Sequence, residues 1–117
     1  MTQAEEDRMS RLDVIEMIGD FITEIDIARG SLMPDDPHRH QLDDQRLLLD
    51  ERQRKLSQSV FDANTAQFQD AAKKLSAVND QVSDSIRHVE NIQVVLSNIT
   101  RFFNAVTGLM SVVAPFI

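Results

Sequence analysis

The chain contains no cysteine among its 117 residues, so it can form no disulfide and offers no thiol for catalysis. Its three glycines form no phosphate-binding loop, dinucleotide fingerprint or nucleophile-elbow motif. A zinc site would depend on histidines and carboxylates alone. His40 and Asp44, four residues apart, could share a helical face, but no third ligand is evident at suitable spacing. These absences favour a protein that is not an enzyme and that uses no cofactor and no metal.

Positive charge is also scarce, because 12 Lys and Arg residues stand against 19 Asp and Glu, for a net charge of −7. The surplus of acid lies in residues 1–61, which carry 14 acidic and 8 basic residues. Such a surface repels a phosphate backbone, and tryptophan and tyrosine, which stack on bases, are absent. We therefore expect no nucleic-acid partner.

The first ten residues, MTQAEEDRMS, are acidic and lack the basic stretch and apolar run of a secretory signal. Together with the absence of cysteine, this predicts a cytoplasmic protein. Association with the periphery of a membrane remains an alternative, for the reasons given below for the C-terminal residues.

The first helix is predicted over residues 3–29, with Thr2 and Glu5 matching a capping box and Gly30 ending it. Apolar residues recur every three or four positions, at Leu12, Ile15, Ile18, Ile22 and Ile25, and Val14 and Phe21 widen this stripe. Acidic residues occupy the opposite face, which we expect to be solvated: Asp13, Glu16, Asp20 and Glu24. Residues 30–37 contain two prolines and a glycine and are predicted to form a loop.

No glycine or proline interrupts residues 38–107. Helix 2 is predicted over 38–60, with Asp36 as its cap and Pro37 at its first position. The apolar register shifts within residues 57–65, a run of short polar residues. This favours a bend or break there, with helix 3 over 64–113 and a weak point at 79–85. The alternative is one helix continuous from helix 2 through helix 3.

Helix 3 carries the strongest pattern in the sequence, an a/d heptad repeat. The a series falls seven residues apart without a gap: Leu75, Val82, Val89, Leu96, Phe103 and Met110. The d series follows three positions later and is broken only by Ser85: Val78, Ile92, Ile99, Val106 and Val113. Val95, Phe102 and Leu109 add apolar side chains at g. A serine in such a core either fixes register and oligomeric state or simply bonds a nearby carbonyl of its own helix.

The pattern predicts an all-α fold, an antiparallel helical or coiled-coil-like bundle in which an N-terminal helix packs on a long C-terminal helix or helical hairpin. We expect one domain over residues 1–117. The sixteen residues after Arg101 hold nine large apolar side chains, and burying each contributes about 1.5–3 kcal/mol. They must therefore be covered by the bundle itself, by a second copy, by another protein or by lipid.

From these features we predict a non-enzymatic helical protein-binding module of the adaptor, inhibitor, immunity or chaperone type, which associates with itself, with another protein, or with both. Its expected interaction residues are those of the seam and tail: Leu75, Val82, Val89, Ile92, Leu96, Ile99, Phe102, Phe103, Val106, Leu109, Met110 and Val113. The alternative is a membrane-associated protein whose apolar C-terminal helix inserts into or lies on a bilayer. The polar residues among 97–107 favour protein over lipid.

Overall fold

A computed structural model describes residues 9–59 and 61–113, except for the side chain of Val89. Within these residues the chain forms α-helices joined by turns and no β-strand, which confirms the predicted all-α class. The helices are α1 (Arg11–Gly30), α2 (Pro37–Gln58), α3 (Ala66–Val82) and α4 (Ile92–Val113). Two 3₁₀ turns, Asp84–Arg87 and Val89–Asn91, connect α3 to α4.

Helix α1 starts later than the sequence predicted, because its cap is Ser10. The Asp13 amide donates to Ser10 Oγ at 3.0 Å, and the Ser10 amide donates to Asp13 Oδ2 at 2.8 Å. This reciprocal pair is a capping box, and it satisfies two amides that have no partner within the helix. The capping box predicted at Thr2 and Glu5 lies outside the described residues.

Helix α2 begins as predicted, and α3 begins close to its predicted start. Asp36 Oδ1 accepts from the His38 amide at 2.8 Å, with Pro37 at the first helical position. Helix α3 is capped by Thr65, whose hydroxyl accepts from the Phe68 amide. Helix α2 ends at Gln58 and α3 begins at Ala66, so the break is observed and the continuous helix is wrong.

The prediction of one helix over 64–113 is also wrong, because the chain leaves the α-helix at residues 83–91. Short polar side chains compete there for backbone hydrogen bonds, and Ser85 Oγ donates to the Val82 carbonyl at 2.7 Å. The weak point predicted at 79–85 overlaps this break. The chain reverses, and α4 packs back against α3.

Two antiparallel hairpins, α1–α2 and α3–α4, pack together. Arg46 Nε donates to Asp26 and Gln53 Nε2 to the Ile15 carbonyl, so position along α2 rises as position along α1 falls. Helix α2 lies beside α4, where the Arg52 guanidinium sits 5.5 Å from the Phe103 ring centroid. The predicted antiparallel bundle is confirmed within each hairpin.

All four helices contribute buried apolar side chains to a single core. Near its centre the Phe21 and Phe102 rings are parallel, with centroids 3.7 Å apart. This is closer than the usual 4.5–7 Å for aromatic pairs, so the stabilisation comes from apolar burial rather than from ring electrostatics. The predicted apolar face of α1 is largely correct: Val14 and Phe21, predicted to widen it, are buried, whereas Leu12 is 61% exposed.

Candidate protein-binding groove

The predicted interaction residues fall into two groups. Seven are fully buried within the bundle and contact other parts of the same chain: Leu75, Val82, Ile99, Phe102, Val106, Leu109 and Val113. Four are half-buried at its surface: Ile92, Leu96, Phe103 and Met110. The side chain of Val89 lies outside the description. The heptad residues thus supply mainly the core of the chain, and the half-buried group reaches its surface.

The reversal at residues 83–91 explains this division. Helix α4 buries its d and g positions against the other helices, whereas its a positions Leu96, Phe103 and Met110 lie on the flank towards α2. On α2, Gln41, Asp44 and Gln45 line a small cleft with Leu96. Arg52 covers part of Phe103, so this flank is partly closed by the chain itself.

On another flank of α4, a groove of about 830 Å³ runs between α3 and α4. Its floor is made of small and aliphatic side chains: Ala71, Val78, Ala105, Gly108, Leu109 and Val112. Polar side chains line its rim: Gln67, Asp70, Lys74, Arg101 and Asn104. We call this surface the α3–α4 groove. It opens away from the α1–α2 hairpin, and nothing in the described part of the chain fills it.

The groove exists because the two helices meet through short side chains on this flank. Alanine at 71 and 105 and glycine at 108 leave space that longer side chains would occupy. The larger residues of the hairpin, such as Phe68 and Phe102, point into the core instead. Sequence periodicity predicted which residues face the core, but it gave no reason to pair the small residues of α3 with those of α4. The recurrence of alanine and glycine at helical spacing was the available signal.

Charge is distributed unevenly along the groove. Asp70 lies towards the end formed by Val112, and Arg101 lies at the other end, where its Nη2 donates to Gln81 Oε1 at 2.5 Å. Lys74 lies between them. Within residues 9–59 and 61–113, neither Asp70 nor Lys74 forms an ion pair. The groove therefore has an acidic and a basic end.

A bidentate ion pair lies away from the groove and joins the α3–α4 turn to α1. Arg87 donates to both oxygens of Glu24, with Nε–Oε2 at 2.8 Å and Nη2–Oε1 at 2.6 Å. These hydrogen bonds lower the pKa of Glu24, against a smaller effect of burial, and they raise the pKa of Arg87. The pair fixes the turn to α1, which positions the start of α4.

Three further observations concern other kinds of site. In the part of the chain that the structure describes, no group of three or more His, Asp or Glu side chains is placed to hold a metal ion. Over those same residues, no helix is long and apolar enough to cross a bilayer. Comparison with protein families, with curated proteins and with solved structures finds no match to this chain.

Proposed function

We propose that the chain is a non-enzymatic helical protein-binding module that holds a helix of its partner in the α3–α4 groove. The observation that carries the proposal is the apolar floor of this groove, which the described chain leaves uncovered. Apolar surface that is bordered by polar residues is a feature of protein interaction sites. The module would act as an adaptor, inhibitor, immunity protein or chaperone does, by covering or bridging a partner.

The dimensions of the groove fit a helix. From Gln67 to Val78 it follows about three turns of α3, or roughly 16 Å at 1.5 Å per residue. A docked amphipathic helix places its i, i+3/i+4 and i+7 side chains over a similar length. The floor is lined by apolar side chains, and the charged groups stand apart along the rim. This arrangement supports packing against an apolar helix face rather than acid–base chemistry, which needs convergent polar groups.

The absence of cysteine makes a site-specific test possible. A single cysteine at Asn104, on the groove rim, would carry a photoactivatable crosslinker, and a cysteine at exposed Glu51 of α2 would be the matched control. We expect light to join the Asn104 variant, in native extract, to a protein that mass spectrometry identifies. The Glu51 variant should give no such adduct, and Gly108→Leu, which fills the groove, should abolish the Asn104 adduct.

The predicted alternative, membrane association, is tested with the same labelled protein. Flotation with liposomes, together with transfer of the Asn104 crosslink to lipid, would contradict the proposal and support insertion of α4. Equal adducts from both positions would also contradict it. The cytoplasmic location stays a prediction.

A further inference from the structure

Apolar surface continues along α4 beyond the basic end of the α3–α4 groove. Val94, Arg101 and Gly108 follow one another at intervals of seven residues, close to two helical turns, so they share one face of α4. All three are exposed, and Val94 is a large apolar side chain that is 53% exposed. Gly108 and Val112 lie on one side of Arg101 and Val94 on the other. A helix that packs along this face must therefore cover Arg101.

The charge of Arg101 is not neutralised within the described residues. Its Nη2 donates to the amide oxygen of Gln81, which orients the guanidinium but carries no negative charge. No carboxylate of residues 9–59 and 61–113 forms an ion pair with it. Covering a cation without an anionic partner is unfavourable, because the cation loses its water. A partner that packs on this face therefore has to bring a carboxylate to Arg101, whose remaining N–H groups can donate to it.

Lys74 places a second positive charge further along the same groove. The hydrogen bond between Arg101 and Gln81 puts these two residues at one level of the hairpin. Lys74 comes seven residues before Gln81 on α3, so it lies about 10.5 Å from the Arg101 level along the helix axis. A partner helix in the groove thus meets two cations that are about two of its own turns apart.

Asp70 is the acidic residue of the groove lining, and it lies one turn beyond Lys74, on the side away from Arg101. Like Lys74, it forms no ion pair with the described residues. The lining thus carries two positive charges and one negative charge, on a chain whose net charge is −7. The complementary order of charges on a partner is acid, acid and base, starting from the Arg101 end.

We infer that the groove binds an amphipathic helix of a different protein, whose apolar stripe carries two acidic residues about two turns apart. One carboxylate pairs with Arg101 and the other with Lys74, and a basic residue one turn further along lies opposite Asp70. Helix α4 of a second copy does not meet this description, because Arg101 is its only charged residue. The inference rests on the proposed function and names the chemistry of the partner.

Synthetic peptides test the charge pattern. The probe is a fluorescein-labelled helical peptide of about 19 residues, enough to span Val94 to Val112. It has a stripe of leucine and alanine with two glutamates two turns apart beside it, and a lysine one turn beyond the second glutamate. The control peptide has the same composition but carries these three charges on its opposite face. We expect the probe to bind at least about tenfold more tightly in fluorescence anisotropy. Equal affinities, or no binding of the probe, would overturn the inference.

Charge reversal in the protein tests the same contacts. Arg101→Glu and Lys74→Glu change exposed side chains, so we expect unchanged thermal melts and an affinity for the probe lowered by about tenfold or more. Lys73→Glu is the matched control, since Lys73 is exposed on α3 but lies outside the groove, next to Met9. A probe with lysine in place of its first glutamate should bind Arg101→Glu more tightly than it binds the wild type. Equal weakening by Lys73→Glu, or no such exchange of preference, would overturn the assigned contacts.

The same substitutions in the Asn104 crosslinking variant separate the two proposals. We expect Arg101→Glu to abolish the protein adduct and Lys73→Glu to leave it. If the adduct forms equally well with Arg101→Glu, this inference fails and the proposed function stands. If no protein adduct forms, both fail. A wild-type chain that dimerises in sedimentation, with the dimer lost in Gly108→Leu, would place a second copy in the groove and overturn the inference.

Discussion

Glu24 shows how a side chain that helical periodicity assigns to solvent can acquire a partner from a distant part of the chain. Asp13, Glu16 and Asp20 of the same predicted face are exposed. The Glu24 side chain is only 18% exposed and bonds Arg87, 63 residues further on. The acidic face of α1 was predicted from the spacing of residues within that helix. This spacing contains no information about the α3–α4 turn, which lies later in the sequence and carries Arg87.

Glu24→Gln removes the charge from this pair and should lower the melting temperature at neutral pH more than Glu16→Gln, its exposed control. The pKa of Glu24 is lowered in the folded state by Arg87, so the stability it contributes is present above its unfolded pKa. That contribution is lost as pH falls through the lower, folded pKa. Thermal melts should therefore converge for Glu24→Gln and wild type in acid. A difference that persists or grows with acidification would contradict the assignment.

At the scale of the elements, the end of α1 and the start of α2 were predictable, because Gly30 ends α1 and Asp36 with Pro37 begins α2. The start of α1 was not, because the Ser10–Asp13 capping box was not recognised in the sequence. The reversal between α3 and α4 was not predicted either. The seven-residue spacing from Leu75 to Met110 holds on both sides of the turn, so it cannot distinguish a continuous helix from a hairpin. Local hydrogen bonding distinguishes them: Ser85 donates to the Val82 carbonyl and accepts from Asn98 Nδ2 at 2.6 Å.

Ser85→Ala should destabilise the fold by about 1 kcal/mol, because Asn98 loses its acceptor and the turn loses a hydrogen bond. Ser97→Ala, at an exposed position of α4, serves as the control and should be near neutral. A double-mutant cycle of Ser85→Ala with Asn98→Ala, measured by urea unfolding, isolates the coupling between the two side chains. If residues 64–113 instead formed one helix with an uninterrupted heptad seam, Ser85→Val would stabilise the protein. That result would contradict the hairpin.

For the whole molecule, the helical class and most of the core followed from the periodicity of apolar residues. The α3–α4 groove did not, because it requires two helices to be brought side by side by the turn. Half of the groove comes from each helix: Ala71 and Val78 from α3, Ala105 and Gly108 from α4. A surface of this kind depends on tertiary structure, and periodicity within one helix reports only which side is apolar.

Deleting residues 109–117 should lower both the melting temperature and the solubility, since it removes Leu109 and Val113 from the core. Leu109→Ala tests the same burial without shortening the chain and should cost about 2–5 kcal/mol. Differential scanning calorimetry and the concentration of protein remaining after centrifugation give the two readouts. A shortened protein that is more soluble and melts at the same temperature would show that these residues are normally covered by lipid.

The arrangement as two hairpins of consecutive helices sets the order in which the molecule can assemble. Most helix contacts join neighbours along the chain, and such local topology is associated with folding in microseconds to milliseconds. The α1–α2 hairpin is complete once residue 58 has been synthesised, before any of α3 exists. Contacts of long sequence separation, such as Glu24 with Arg87, can form only after the second hairpin arrives. Each newly made chain therefore passes through a stage in which the apolar residues of the α1–α2 hairpin are not yet covered by α3 and α4.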